Sequence, residues 1–194
     1  MGIGVDNNVY MANDSGQDIY VMATLNPDWA IADFVFDIAL LFTGIEEIKA
    51  AATAAELPAT IATVRDLYEF LKIGAEILSG TVSVGTRPTE AALSLVEAFK
   101  KTSIPIAPAT YKNVKEDGFL GIYLSVDGIA SILGASTVSL IVMSGDGKQV
   151  AMWNSGGDDS WIATRAEKIV RSKYGTIWQQ DAGAGTVDWP VASN

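Results

Sequence analysis

Between Leu57 and Leu78 the apolar positions recur as Leu57, Ile61, Val64, Tyr68, Leu71, Ala75 and Leu78, a 4-3-4-3 spacing that lays one seam along a helix. Arg65, Glu69, Lys72 and Glu76 form a second strip in which opposite charges lie one turn apart. The spacing predicts a helix with one dry and one wet face, ended by Gly80. Pro88 to about Lys101 repeats the pattern, with Ala92, Leu95, Val96 and Phe99 inward and Lys100-Lys101 at the negative end of the dipole. Upstream, Asn26-Pro27-Asp28 can start a further helix, Asn26 capping it and Pro27 suiting its first position. That helix would run to about Thr43 through WAIADFVFDIALLF, Trp29–Phe42, in which Asp33 and Asp37 are the charged residues. Nine large apolar side chains lie in this run. At ~1.5–3 kcal/mol each for leaving one in water, exposing them all would exceed the ~5–15 kcal/mol stability of a folded domain. Something must cover them. The following residues, IEEIKAAATAAEL, keep helical propensity and put Ile45, Ile48 and Ala52 on one face.

Elsewhere the period falls to two. Val9–Ala12 and Asp18–Thr24 read as short strands around an Asn13-Asp14-Ser15-Gly16 turn. Pro105 and Pro108 bar a helix over 103–109 and mark an internal boundary. Strands are then expected at Phe119–Val126, Thr137–Met143, Gln149–Asn154, Ser160–Thr164, Lys168–Lys173 and Thr176–Gln180, with one helical turn over Gly128–Gly134. The runs flanking Ser144-Gly145-Asp146-Gly147 form the clearest hairpin. The chain therefore reads as a single α+β domain over 1–194: opening strands at 9–25, a helical segment at 26–103 and a β-rich part at 104–194. Its expected architecture is an antiparallel β-sheet or sandwich, with strands before residue 25 and after residue 118, and a helical insertion of about 75 residues packed against it. An independent helical domain is the rival, but it would leave the opening strands as a marginal lone hairpin.

Composition narrows the function mainly by exclusion. Hydrophobic residues at 49% and charged residues at 19% describe a globular chain. The net charge of −10 is spread as −3, −5 and −2 over 1–26, 27–103 and 104–194, so nothing attracts nucleic-acid phosphates or anionic lipid, and no nucleic-acid partner is expected. The chain has no Cys and no His, which removes disulfides, Ser-His-Asp and Cys-His catalysis and the usual zinc sites. An enzyme would have to work with carboxylates, Lys or Tyr. MGIGVDNN lacks the basic and apolar regions of a signal peptide, which suits a cytoplasmic protein or a mature secreted one.

Candidate chemistry is sparse. Asp33 and Asp37, one turn apart, suit acid–base work or a shared metal, but the preferred reading is a solvated stripe. Asp146 and Asp158-Asp159 offer oxygens to calcium without EF-hand spacing and read as turn residues. Gly183-Ala184-Gly185 lacks the context of a phosphate loop. Arg165, Lys168, Arg171 and Lys173 against Glu167 make one basic stretch, read first as an edge strand protected by charge and second as a contact for lipid headgroups or sulfated glycans. Trp153, Trp161, Trp178 and Trp189 cluster in the last 42 residues, with half of them expected in the core.

Two functions follow as expectations. The first is a non-enzymatic binding protein holding an apolar small molecule, of lipid, sterol or carotenoid type, between helices and sheet, lined by Trp29, Phe34, Phe36, Phe42, Tyr68 and Phe70, with no cofactor required. The alternative is a membrane-active or glycan-binding, lectin- or toxin-like defence protein. It would use a Trp-rich sandwich surface of Trp153, Trp161, Trp178, Lys168, Arg171 and Lys173. Trp29–Phe42 is too short and too acidic to span a membrane, though contact with one, or a homo-oligomer, would also cover it.

Overall fold

The computed structural model describes residues 8–28, 48, 61–83, 86–115 and 137–189. The expected Trp29–Phe42 helix with Asp33 and Asp37, the Phe119–Val126 strand and the Gly128–Gly134 turn lie outside these residues. The described part is mixed α+β, with two helices and two sheets.

Helix α1, Val64–Ser79, begins later than the apolar seam predicts. Thr63 takes an extended backbone and caps it: its Oγ1 accepts from the Asp66 N–H at 3.2 Å, and the Asp66 carboxylate accepts from the Thr63 N–H at 2.9 Å. This reciprocal box satisfies two N–H groups that an earlier start would use differently, so Ile61 is not part of α1, and Leu57 lies outside the described residues. Gly80, at φ 79°, ends it as expected. Helix α2 spans Thr86–Thr102. Gly74 of α1 faces Ala92 and Leu95 of α2, where an added Cβ would stand at ordinary contact distance, 3.7 Å from Leu95. Leu67, Phe70, Leu71, Leu95 and Phe99 enter the core, as does Ile48.

The strands are β1 Tyr10–Asp14, β2 Ile19–Thr24, β3 Ile104–Ile106, β4 Tyr111–Asn113, β5 Thr137–Ser144, β6 Val150–Gly156, β7 Trp161–Thr164, β8 Lys168–Lys173, β9 Thr176–Gln180 and β10 Thr186–Asp188. One sheet runs β10-β8-β7-β1-β4, with β9 also paired to β8; the other runs β3-β2-β5-β6. The β5–β6 hairpin forms as expected.

Four expectations need correction. The opening strands do not pair: β1 joins one sheet and β2 the other. The buried Asn13 side chain fixes that divergence, donating to the carbonyls of Gln17 and Ile106 at 2.7 and 2.8 Å while accepting from Ser15. The sheet containing β1 is mixed, since β1 lies parallel to β7. Strands are not confined to before residue 25 and after residue 118: β3 and β4 are too short to show a period, and they form because β2 and β1 offer them partners. Finally, Lys168–Lys173 is not an edge, because β7, β10 and β9 all pair with β8. Both sheets and both helices share one core, to which Met11, Val21, Phe70, Phe99, Leu140 and Trp161 belong.

Candidate functional site

Where β8 and β9 turn back on each other, they meet the start of β1, the end of the β3–β4 turn and the loop after β6. The first turn of this meeting point is built by Asp159, whose Oδ2 accepts from the Gly156 N–H at 3.2 Å and so closes the Gly156–Asp159 loop. A Cβ on Gly156 would stand 2.8 Å from that oxygen, so the loop depends on glycine there. Lys115 supports the same loop from beneath: it is buried, and its Nζ donates to the Gly157 carbonyl at 3.1 Å. Burial pulls its pKa below the ordinary 10.5, against the pull of Asp158.

These segments enclose a cleft of about 540 Å³, lined among others by Tyr10, Tyr111, Asp159, Arg171, Tyr174 and Asp181. Its charged centre is Arg171. One guanidinium nitrogen lies 3.4 Å from Asp159 Oδ1, and the other donates to Asp181 Oδ2 at 3.0 Å. Asp181 Oδ1 also accepts from the Gly183 N–H at 3.2 Å. The Arg171 hydrogen bond, then the Gly183 one, hold the Asp181 carboxyl below its usual value of 3.8, helped by the charges of Arg171 and Lys173. A register shift in the β8–β9 ladder at Ser172/Lys173 lies next to this cluster, the kind of bulge that re-aims a strand's side chains.

Beside the cluster runs a row of rings. Tyr10 and Tyr111 meet edge to face at 5.9 Å and 74°, and Tyr111 and Trp178 at 6.3 Å and 79°. Tyr111 is 51% exposed, Trp178 45%, and Tyr174, at the β8–β9 tip, 91%. Of the four exposed large hydrophobic side chains among the described residues, these three aromatics lie at or beside the cleft, and the fourth, Leu93, is on α2.

The structure divides the expected site residues. Of the proposed Trp-rich surface, Arg171 and Lys173 line the cleft, and Trp178 stands outside its lining, against Tyr111. Trp153 and Trp161 are buried core residues stacked edge to face at 5.3 Å, and the Trp161 indole N–H donates to Ser155 Oγ at 2.8 Å. They cannot serve as surface groups, because strand alternation turns them inward. Trp189 is buried as well, so three of these four tryptophans are core. Lys168 is engaged by Asp188 on β10. Of the residues expected to line an apolar guest, Trp29, Phe34, Phe36 and Phe42 lie outside the described residues. Phe70 is wholly buried as core, and Tyr68 is half-buried, its hydroxyl pKa raised by burial and by Glu69 and Glu76.

Asp146 and Asp159 are turn and ion-pair residues here: Asp146 Oδ1 accepts from Ser144 Oγ and the Lys148 N–H. Among the described residues no group of three or more acidic, His or Cys side chains could hold a metal ion, and no helix is long and apolar enough to cross a membrane.

Sequence reasoning did not find Tyr10, Tyr111, Asp181 or the pairing of Asp159 with Arg171. Tyr10 and Tyr111 are brought together by the β1–β4 ladder, in which Tyr10 opposes Asn113 and Ala12 opposes Tyr111. The exposed Tyr174-Gly175 turn was the available signal, since a bulky aromatic at a hairpin tip has no packing reason to be there. Comparison of the chain with protein-family models, with curated proteins and with solved structures finds no match in any of the three.

Proposed function

We propose that the protein is a non-enzymatic glycan-binding protein that holds an oligosaccharide in the cleft beside the β8–β9 hairpin. The observation that carries this reading is the pair Tyr10–Tyr111 on the cleft wall, continued outside it by Trp178, with an Arg171 guanidinium and two carboxylates held in place on the same lining. Sugars present apolar C–H faces and a rim of hydroxyls, so they call for aromatic surface beside fixed hydrogen-bonding groups; binding pockets generally combine the two in this way. The cleft volume of about 540 Å³ falls within the roughly 300–1,000 Å³ typical of small-ligand sites.

Binding without turnover fits the same groups. A glycosidase needs a carboxylic acid whose pKa is raised so that it can give up a proton, whereas Arg171 drives Asp181 the other way.

A glycan array probed with the purified chain, followed by calorimetry on the ligands found, tests this reading. Trp178→Ala and Tyr111→Ala are each expected to weaken binding about tenfold or more, equivalent to ~1.4 kcal/mol, with melting temperature unchanged because both rings are largely exposed. Failure to bind any neutral, sialylated or sulfated glycan, or variants that bind like the parent, would overturn it.

A further inference from the structure

We infer that the cleft selects a neutral oligosaccharide and grips one of its sugar rings by two adjacent hydroxyls, on the cluster of Asp159, Arg171 and Asp181. This inference rests on the glycan-binding reading and goes further in naming the class of glycan and the contact that recognises it.

Charge decides the class. The basic stretch around β8 suggests an anionic ligand when read along the chain, but its cations are largely engaged. Lys168 pairs with Asp188, Arg171 lies between Asp159 and Asp181, and Arg165 stands 3.9 Å from Asp14. Asp158, Asp159 and Asp181 outnumber Arg171 and Lys173 among the cleft residues, and the whole chain carries −10. A sulfate or sialic acid carboxylate entering here would meet a net negative surface, with Asp159 and Asp181 flanking Arg171 on both sides. A neutral hydroxyl meets no such repulsion.

Geometry decides the contact. Both carboxylates are held at both oxygens: Asp159 by Gly156 N–H and Arg171, Asp181 by Gly183 N–H and Arg171. They need no ordering when a ligand arrives, which removes an entropic cost of binding. Each carboxylate oxygen has more than one acceptor site, and the guanidinium has N–H groups beyond those used on Asp159 and Asp181. Such a cluster offers acceptors for the protons of two neighbouring hydroxyls and a donor for their oxygens. Hydrogen bonds of this kind, to ionised groups, are the strong ones. Tyr111 and Trp178 stand nearly at right angles, at 79°, so a sugar face stacks on one ring and meets the edge of the other.

Calorimetry with neutral, sialylated and sulfated oligosaccharides, at low and high ionic strength of about 0.05 and 0.5 M, tests the inference. The expected result is binding of neutral glycans with affinity changing less than about twofold between the two salts, since charge pairing with the ligand is absent. Monodeoxy analogues of the bound sugar should lose affinity at two adjacent ring positions. Arg171→Lys keeps the charge but loses the two-pronged fork; it and Asp181→Asn are each expected to weaken binding about tenfold, while Lys148→Ala, in the exposed β5–β6 turn away from the cleft, stays within about twofold. Melting temperatures identify a variant that fails to fold, and the deoxy series on the parent protein does not depend on any variant. Binding confined to sialylated or sulfated glycans with steep salt dependence would overturn the inference while leaving the glycan reading intact. So would a deoxy series in which no adjacent pair matters. Absence of binding to every glycan class would overturn the reading on which it rests.

Discussion

Asn13 shows how much one side chain can decide. It is fully buried, and its amide donates to Gln17 and Ile106 carbonyls while its oxygen accepts from the Ser15 N–H and hydroxyl. Its position in the chain marks a turn residue, and a turn does follow it; the partner at Ile106, 93 residues away, could not be read from local pattern. Truncating it takes a donor from the Ile106 carbonyl of β3, at the buried contact, and from the part-buried Gln17 carbonyl of the turn, a loss of about 1–3 kcal/mol for a buried group left without its partner. Asn13→Ala is therefore expected to destabilise by about 2–4 kcal/mol, measured by urea unfolding. Ser15→Ala, which leaves the Ile106 and Gln17 contacts in place, should cost less. The cleft residues follow the same logic. Arg171 is recognisable as a charge in the sequence, but that its charge is balanced by Asp159 and Asp181 follows from three elements converging.

At the scale of elements, the β5–β6 turn and the β8–β9 turn separate backbone conformation from packing. Gly147 and Gly175 both lie in the left-handed region, at φ 75° and 79°. A Cβ on Gly147 would sit 2.7 Å from Val96 of α2, whereas nothing stands within 4 Å of one on Gly175. Gly175→Ala should cost only the left-handed term of about 1–2 kcal/mol. Gly147→Ala adds the overlap with α2 and should cost about 2–4 kcal/mol. Equal losses in thermal or chemical denaturation would show that the turn does not press on the helix. The hairpin itself was legible because strong alternation and a Ser-Gly-Asp-Gly turn agree. The later start of α1 was not, because Thr63 and Asp66 cap each other more strongly than an apolar seam extends a helix.

For the whole molecule, acid is the informative perturbation. Asp181 has a folded pKa below 3.8. The folded state therefore binds fewer protons than the unfolded state in the window beneath that value. Its contribution to stability is fully present above the ordinary carboxylate range and is lost as pH falls through the lower, folded pKa. The Arg171 clamp, and with it the proposed glycan affinity, should fade over the same window. Melting temperature against pH for the parent and for Asp181→Asn checks this: the variant should be less stable near neutrality, and the difference should vanish at low pH. A constant difference down to strong acid would remove Asp181 from the clamp.

Taken alone, the chain of 194 residues determined the mixed α+β class, the amphipathic character of α1 though not the centre of its buried face, the extent of α2, the β5–β6 hairpin, the strand at Lys168–Lys173 and the lack of His and Cys chemistry. These rest on local period, capping and composition, which act over a few residues. Tertiary structure decided that β1 and β2 part into different sheets, that β1 runs parallel to β7, and that Trp153 and Trp161 face inward while Trp178 stays open. It also brought Tyr10 to Tyr111 and Arg171 between two carboxylates. Strand partners are chosen by which surfaces bury together, and short strands such as β3 and β4 carry too little pattern to announce their neighbours. A cleft assembled from five separated segments is for that reason a property of the fold.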